Sequence, residues 1–195
     1  MAPLKAGDKF PDSVKFEWTP ITNDDPTACG MPQEYNASQQ WKGKKVVLVS
    51  VPGAFTPGCQ ANHLPPYIQN IEKLKGKGVD IVAVIAFNDS WVMSAWGKVN
   101  KVSGEDLVSV SHLCIGGGQG GHSDLSAYRR AVEYGLFMSD TKTFFSKNYG
   151  WSGLGERNGR WAMVIEKDGT VSYAEVEQSP REVKVSGANA ILDQL

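Results

Sequence analysis

At 195 residues the chain has the length of one domain with a sizeable core. Lys and Arg number 20 against 21 Asp and Glu; the net charge of -1 lacks the positive excess that nucleic acid or an anionic membrane surface would require, so neither partner is expected. The longest apolar stretches, such as Val46-Val47-Leu48-Val49, have strand length and would not span a bilayer, and Met1 to Asp8 carries no apolar core of a secretory signal. Three cysteines point to thiol chemistry, metal binding or burial rather than to a disulfide framework.

The chain opens with turns. Phe10-Pro11, Thr19-Pro20 and Asn23-Asp24-Asp25-Pro26 break up any long element, and Cys29 follows in a loop beside Gly30 and Pro32. Lys44 to Val51 is a continuous β-branched run and predicts a buried central strand. It ends at the turn-rich loop Pro52 to Gly58, and a helical segment starts near Cys59. Ile68, Ile71 and Leu74 recur at helical spacing until Gly76 to Gly78 close the segment. Pro65 and Pro66 inside it predict a kink or a break. Val79 to Ala86 predicts a second buried strand, and Asn88-Asp89-Ser90 the N-cap of a helix from Trp91 to Lys101. Lys142 to Tyr149 predicts a short helix. Arg160 to Glu166 and Thr170 to Val176 pair as a hairpin across Lys167-Asp168-Gly169, and Ser186 to Leu195 closes the chain as a helix. Strands alternating with helices, then a hairpin and a helix, predict an α/β domain of thioredoxin-like order, a mixed sheet flanked by helices.

Val108 to Leu136 fits this scheme poorly. It contains Gly116-Gly117-Gly118-Gln119-Gly120-Gly121, a composition suited to a flexible loop, and Asp124 to Tyr134 is expected as an extra helix. The glycine run lacks the Gly-Lys-Ser/Thr ending and the preceding strand of a phosphate-binding loop.

The chemistry concentrates at Pro52-Gly53-Ala54-Phe55-Thr56-Pro57-Gly58-Cys59. A thiol reacts as its thiolate, and the first turn of a helix favours an anion through unpaired backbone N–H groups and the helix dipole. Thr56 can place its hydroxyl beside the sulfur; Pro52 and Pro57 stiffen the loop and remove competing donors. Such a pocket suits in-line attack on a peroxide, because fixed donors stabilise the charge developing on the leaving oxygen. The product is a sulfenic acid on Cys59.

Pro52-x-x-x-Thr56-x-x-Cys59 resembles the peroxiredoxin active-site motif. The full string to Cys59, followed by His63-Leu64-Pro65, resembles the type-five subfamily. Asn88-Asp89, Met93-Ser94-Ala95-Trp96-Gly97-Lys98 and Arg160-Trp161-Ala162-Met163-Val164-Ile165 are similar to its fungal branch. The resemblance covers about Lys5 to Val108 and Phe137 to Leu195. It implies a thioredoxin fold and a homodimeric, cofactor-free peroxidase that reduces hydrogen peroxide and alkyl hydroperoxides. Cys59 would be the nucleophile, Pro52 its shield and Thr56 the group that orients the peroxide, with Phe55 and Gly58 lining the substrate site. Arg157 would be the active-site arginine, always charged and rich in donors. The resemblance also makes Cys29 the resolving cysteine, closing a disulfide with Cys59 that thioredoxin reduces. Joining Asp106-Leu107 to Phe137-Met138-Ser139-Asp140 would restore a short strand of the family, so 108–136 reads as an insertion within a single domain, 1–195: a loop excursion or the translation of an unspliced intron. The expected compartment is the cytoplasm, with peroxisome or mitochondrion as alternatives; the ending Asp193-Gln194-Leu195 is not the Ser-Lys-Leu address.

Plainer readings stand beside these. Cys59 could be an inert buried thiol, but the motif around it argues against that. His63, one helical turn on, is a general base for Cys59 or a structural histidine. Arg160 shares the anion-binding role or is a solvated strand-end charge. Trp151 and Trp161 read as core or interface. Cys114 has no role carried over, and His112, Cys114 and His122 lack the fourth ligand of a zinc site. A thioredoxin-like disulfide exchanger would need a Cys-x-x-Cys where Thr56 stands. A non-catalytic holdase would not need Pro52, Thr56, Cys59 and Arg157 together.

Overall fold

The computed structural model describes residues 2–102 and 135–195. The extra helix expected at 124–134, the glycine run, Cys114 and most of the expected insertion lie outside the described residues.

Seven strands form one mixed sheet: β1 (Lys15–Trp18), β2 (Gln33–Asn36), β3 (Val46–Ser50), β4 (Ile81–Ala86), β5 (Gly135–Ser139), β6 (Trp161–Ile165) and β7 (Val171–Val176). Their order is β2-β1-β5-β4-β3-β6-β7. β3, β4 and β5 run parallel, and the remaining pairs are antiparallel. The helices are α1 (Ala37–Gln40), α2 (Leu64–Gln69), α3 (Ile71–Gly76), α4 (Ser90–Val99), α5 (Phe144–Asn148) and α6 (Ala188–Gln194). Among the described residues none is long and apolar enough to cross a membrane.

The continuous apolar runs are explained by burial on both faces. Along β3, Val47 and Val49 join a core with Leu64, Tyr67, Leu74, Trp96 and Ile191, while Val46 and Leu48 join a second core with Phe16, Trp41, Phe145 and Trp161. Alternate side chains thus enter opposite layers, and neither face is left for polar residues. Trp151 and Trp161 belong to the second core, their rings 6.1 Å apart.

Three features depart from the sequence reading. The N-terminal stretch is not all turn, because Lys15–Trp18 and Gln33–Asn36 pair as an antiparallel edge. Long-range pairing with β5 stabilises a segment whose local composition signals only turns. The expected insertion ends earlier than 136: Gly135 and Leu136 already pair with Val82 and Ala83. The helix after Cys59 breaks at Asn70 rather than at its prolines. Pro65 and Pro66 occupy the first turn of α2, where missing N–H groups cost little. Before them lies a π-helical turn, Cys59–His63, closed by Leu64 N–H to the Cys59 carbonyl.

Asp140 fastens the segments after β5. Its carboxylate is 1% exposed; it accepts from Phe145 N–H at 2.8 Å, Ser146 N–H at 3.0 Å and Asn158 Nδ2 at 2.8 Å. It therefore caps α5 and anchors the loop that leads into β6. Burial pushes its pKa up against the pull of these donors. Asp140→Ala strands the donors, and urea unfolding is expected to show a loss of about 2–4 kcal/mol.

Candidate active site

Cys59 is fully buried, in the first helical turn after the loop that leaves β3. That loop is built by a few bonds. Thr56 Oγ donates to the Gly53 carbonyl at 2.9 Å, and Gln60 N–H returns to the Thr56 carbonyl at 2.8 Å. Asn88 Oδ1, from the turn after β4, accepts from Ala54 N–H at 2.8 Å. Pro52, Thr56 and Gly58 are half-buried, and Phe55 is exposed. Phe55 has a φ of 59°, an uncommon conformation for a bulky residue, and its ring lies 6.4 Å from that of Trp96.

The antiparallel register of β3 and β6 pairs Ser50 with Trp161, which sets Arg160 across from the start of the Cys59 loop. Ser50 Oγ reinforces the approach by donating to the Gly159 carbonyl at 3.0 Å. The Arg160 side chain turns inward and is buried. Its Nη2 lies 3.5 Å from Cys59 Sγ, its Nη1 donates to His63 Nδ1 at 2.8 Å, and its Nε donates to the Pro180 carbonyl at 3.0 Å. A Cβ on Gly58 would approach Nη2 to 3.3 Å, so the glycine lets the guanidinium come close.

His63 is also fully buried. Its Nε2 lies 2.8 Å from the Ser186 carbonyl, which can only accept, so Nε2 carries the proton and Nδ1 receives the arginine's. Burial, with a contribution from the Arg160 charge, pushes its pKa down to about 4. Neutral, it holds the arginine. Of the two readings of His63, the structural one matches its contacts; its ring bonds to arginine and carbonyl, not to the sulfur. Tyr67 donates to the same Ser186 carbonyl, and Glu177 fixes that turn by accepting from Lys184 N–H, Ser186 N–H and Ser186 Oγ.

The arginine within 3.5 Å of the sulfur is Arg160, which the sequence reading offered as sharing the anion-binding role it gave to Arg157. Arg157 lies over the Phe87 ring, 4.7 Å from its centroid, and donates to the Pro52 carbonyl at 3.3 Å. It belongs to the rim of the loop, where a Cβ on Gly53 would come within 2.9 Å of its Nη1. The register of the β6 strand start was the signal that favours Arg160. Cys29 is exposed; its sulfur contacts the Thr27 carbonyl, and neither it nor Cys59 is in a disulfide. His112, Cys114 and His122 lie outside the described residues.

A thioredoxin-like α/β domain with a buried cysteine paired to a buried arginine defines the class. The redoxin family model matches residues 5–192. The chain is 42% identical to peroxiredoxin Pen c 3 of Penicillium citrinum, over 98% of this chain and 99% of that one. It is 35% identical to a putative peroxisomal peroxiredoxin of Lipomyces kononenkoae, over 96% and 99% of the two chains. The crystal structure of reduced Prx3 from Vibrio vulnificus in complex with hydrogen peroxide is similar with a TM-score of 0.68 and 31% identity, over 97% of this chain and 98% of that one. The chain belongs to the peroxiredoxins, in the type-five-like branch that the motifs resemble.

The depressed His63 pKa makes stability depend on pH. Between pH 6.5 and about 4 the unfolded chain binds a proton at His63 that the folded chain refuses, so stability falls as pH falls through that window. The His63 share of the loss is expected to reach roughly 3 kcal/mol. His63→Gln keeps an acceptor and a donor but no titration, and its denaturation midpoint should vary less with pH across the window.

Proposed function

We propose that Cys59 is the peroxidatic cysteine of this peroxidase, that it reduces hydrogen peroxide and alkyl hydroperoxides, and that Cys29 resolves it for reduction by thioredoxin. The observation that carries the reading is the buried Arg160 guanidinium 3.5 Å from the Cys59 sulfur. The thiolate attacks the nearer peroxide oxygen in line, the O–O bond breaks, and the leaving hydroxide or alkoxide takes up a proton as Cys59 becomes a sulfenic acid. The donors of Arg160 stabilise the charge that appears on the oxygens, in a site where fixed donors count for more than in water. Thr56, its hydroxyl proton engaged by Gly53, keeps lone pairs to accept from the peroxide. Pro52 shields the sulfur, and Phe55 and Gly58 line the approach. Arg157 acts at the rim by holding the Pro52 carbonyl. The Vibrio protein's complex with hydrogen peroxide supports the choice of substrate.

The reading extends to a homodimer in the cytoplasm, with the peroxisome as the alternative that the Lipomyces relative's name supports. No resident cofactor is invoked: reducing equivalents pass from thioredoxin through thiols.

Peroxide consumption with a thioredoxin system tests it. Cys59→Ser is expected to abolish turnover. Cys29→Ser should stop cycling while leaving one oxidation per chain. Arg160→Met should lower the rate constant for Cys59 oxidation by about 10²–10³. Arg157→Met should cost no more than about tenfold, the scale of one weak bond to a neighbouring carbonyl. Equal losses in the two arginine variants would sink the assignment of Arg160.

A further inference from the structure

Cys29 sits on Asn23–Gly30, a stretch with neither helix nor strand. Two side chains of α4 grip it. Lys98 is 6% exposed, although an ammonium is rarely buried unless its donors are satisfied. Its Nζ reaches Asn23 Oδ1 at 3.3 Å and the carbonyls of Asp25 and Ala28 at 3.1 and 2.8 Å, one acceptor for each N–H. Trp91, the second residue of α4, donates its Nε1–H to the Gly30 carbonyl at 3.0 Å. The two grips fall on either side of Cys29. Close packing keeps the chain against the helix, since a Cβ on Gly97 would lie 2.5 Å from Ile21 Cδ1.

The same helix holds the other cysteine's turn. Trp96 Nε1–H donates to Gln60 Oε1, and Gln60 Nε2 donates to Asn100 Oδ1 at 2.7 Å. Gln60 adjoins Cys59. One helix therefore fixes the segments that carry both sulfurs.

We propose that Lys98 and Trp91 are positioning residues for disulfide formation, clamping the Cys29 segment so that its thiol is presented in a fixed place. This rests on the reading of Cys29 as the resolving cysteine. In that step the Cys29 sulfur attacks the Cys59 sulfur of the sulfenic acid. The S–S bond forms, the S–O bond breaks, and the leaving hydroxide combines with the proton released by Cys29 to give water. The peroxide consumed in the first step is the only oxidant. Without the clamp, Asn23–Gly30 keeps its internal turn bonds but loses its ties to α4, and the local concentration of its thiol at the Cys59 sulfur falls. The argument is the same whether the sulfurs belong to one chain or to two copies.

The test follows sulfenic acid formation and disulfide formation separately, by rapid quench and mass analysis of the full chain treated with hydrogen peroxide. Lys98→Met is expected to slow disulfide formation by about 100-fold, the cost of a misplaced reacting group, and to leave Cys59 oxidation unchanged. Trp91→Phe removes one N–H from a half-exposed ring and should slow the same step by about fivefold, the worth of one hydrogen bond. Both variants should accumulate more sulfinic acid at high peroxide. Trp91→Phe decides alone if Lys98→Met does not fold. Disulfide formation at the wild-type rate or faster in the variants, with Cys29→Ser still blocked, overturns the clamp. So does equal slowing of both phases in Trp91→Phe, which would mark a loosened fold. If Cys29→Ser itself forms the disulfide, the reading of Cys29 falls and the clamp with it.

Discussion

A guanidinium taken out of water must find acceptors for its donors, and the neighbourhood of Arg160 is organised by that demand. Its three named contacts are a sulfur, an imidazole nitrogen and a backbone carbonyl. No carboxylate is among them, so the charge is left to act on whatever anion the site holds. A carboxylate in that place would bind the arginine more tightly and blunt its pull on an anion in the site. Glu177 is near enough to bias His63, but it is occupied by Lys184 and Ser186 donors. The buried histidine then serves two ends, as an uncharged acceptor for the arginine and as a donor to the Ser186 turn, and burial keeps it neutral for both.

Each support of this centre comes from a different part of the sheet. β3 delivers the loop, β6 delivers the arginine through its register, the turn after β4 pins the loop through Asn88, and α4 buttresses the turn through Gln60. The strands are dictated by burial on two faces, so the site inherits its precision from the cores. The parts that hold it are continuous with the parts that make the protein fold.

Much of this was legible in the residues. The β-branched runs named the central strands, Asp89 capped α4 as its type suggests, accepting from Val92 N–H, and Gly169 turned the final hairpin at a φ of 81°. What escaped depended on long-range contacts. The β1 and β2 strands are four residues each, too short for their pattern to stand out, and β1 is paired by β2 on one side and β5 on the other. Arg157 and Arg160 look alike in the chain; the β3–β6 register separates them, and pairing between distant strands is what local pattern does not carry. His63 could not be assigned from spacing alone because its partner Ser186 lies 123 residues away. Lys98 entered the sequence reading only as part of a family-like string, since nothing nearby in sequence announces that a loop 70 residues earlier folds over it.

The π-helical turn at Cys59–His63 amounts to one residue more than an α-helix would spend on the same rise. Across this turn the two Nη atoms of one guanidinium meet residues 59 and 63 together. Chain length between them is therefore as constrained as residue identity. Substitutions at the exposed Ala61 and Asn62 leave that spacing intact, but a one-residue deletion there would change the separation on which both contacts depend. The segment is a ruler, and its fixed quantity is a count of residues.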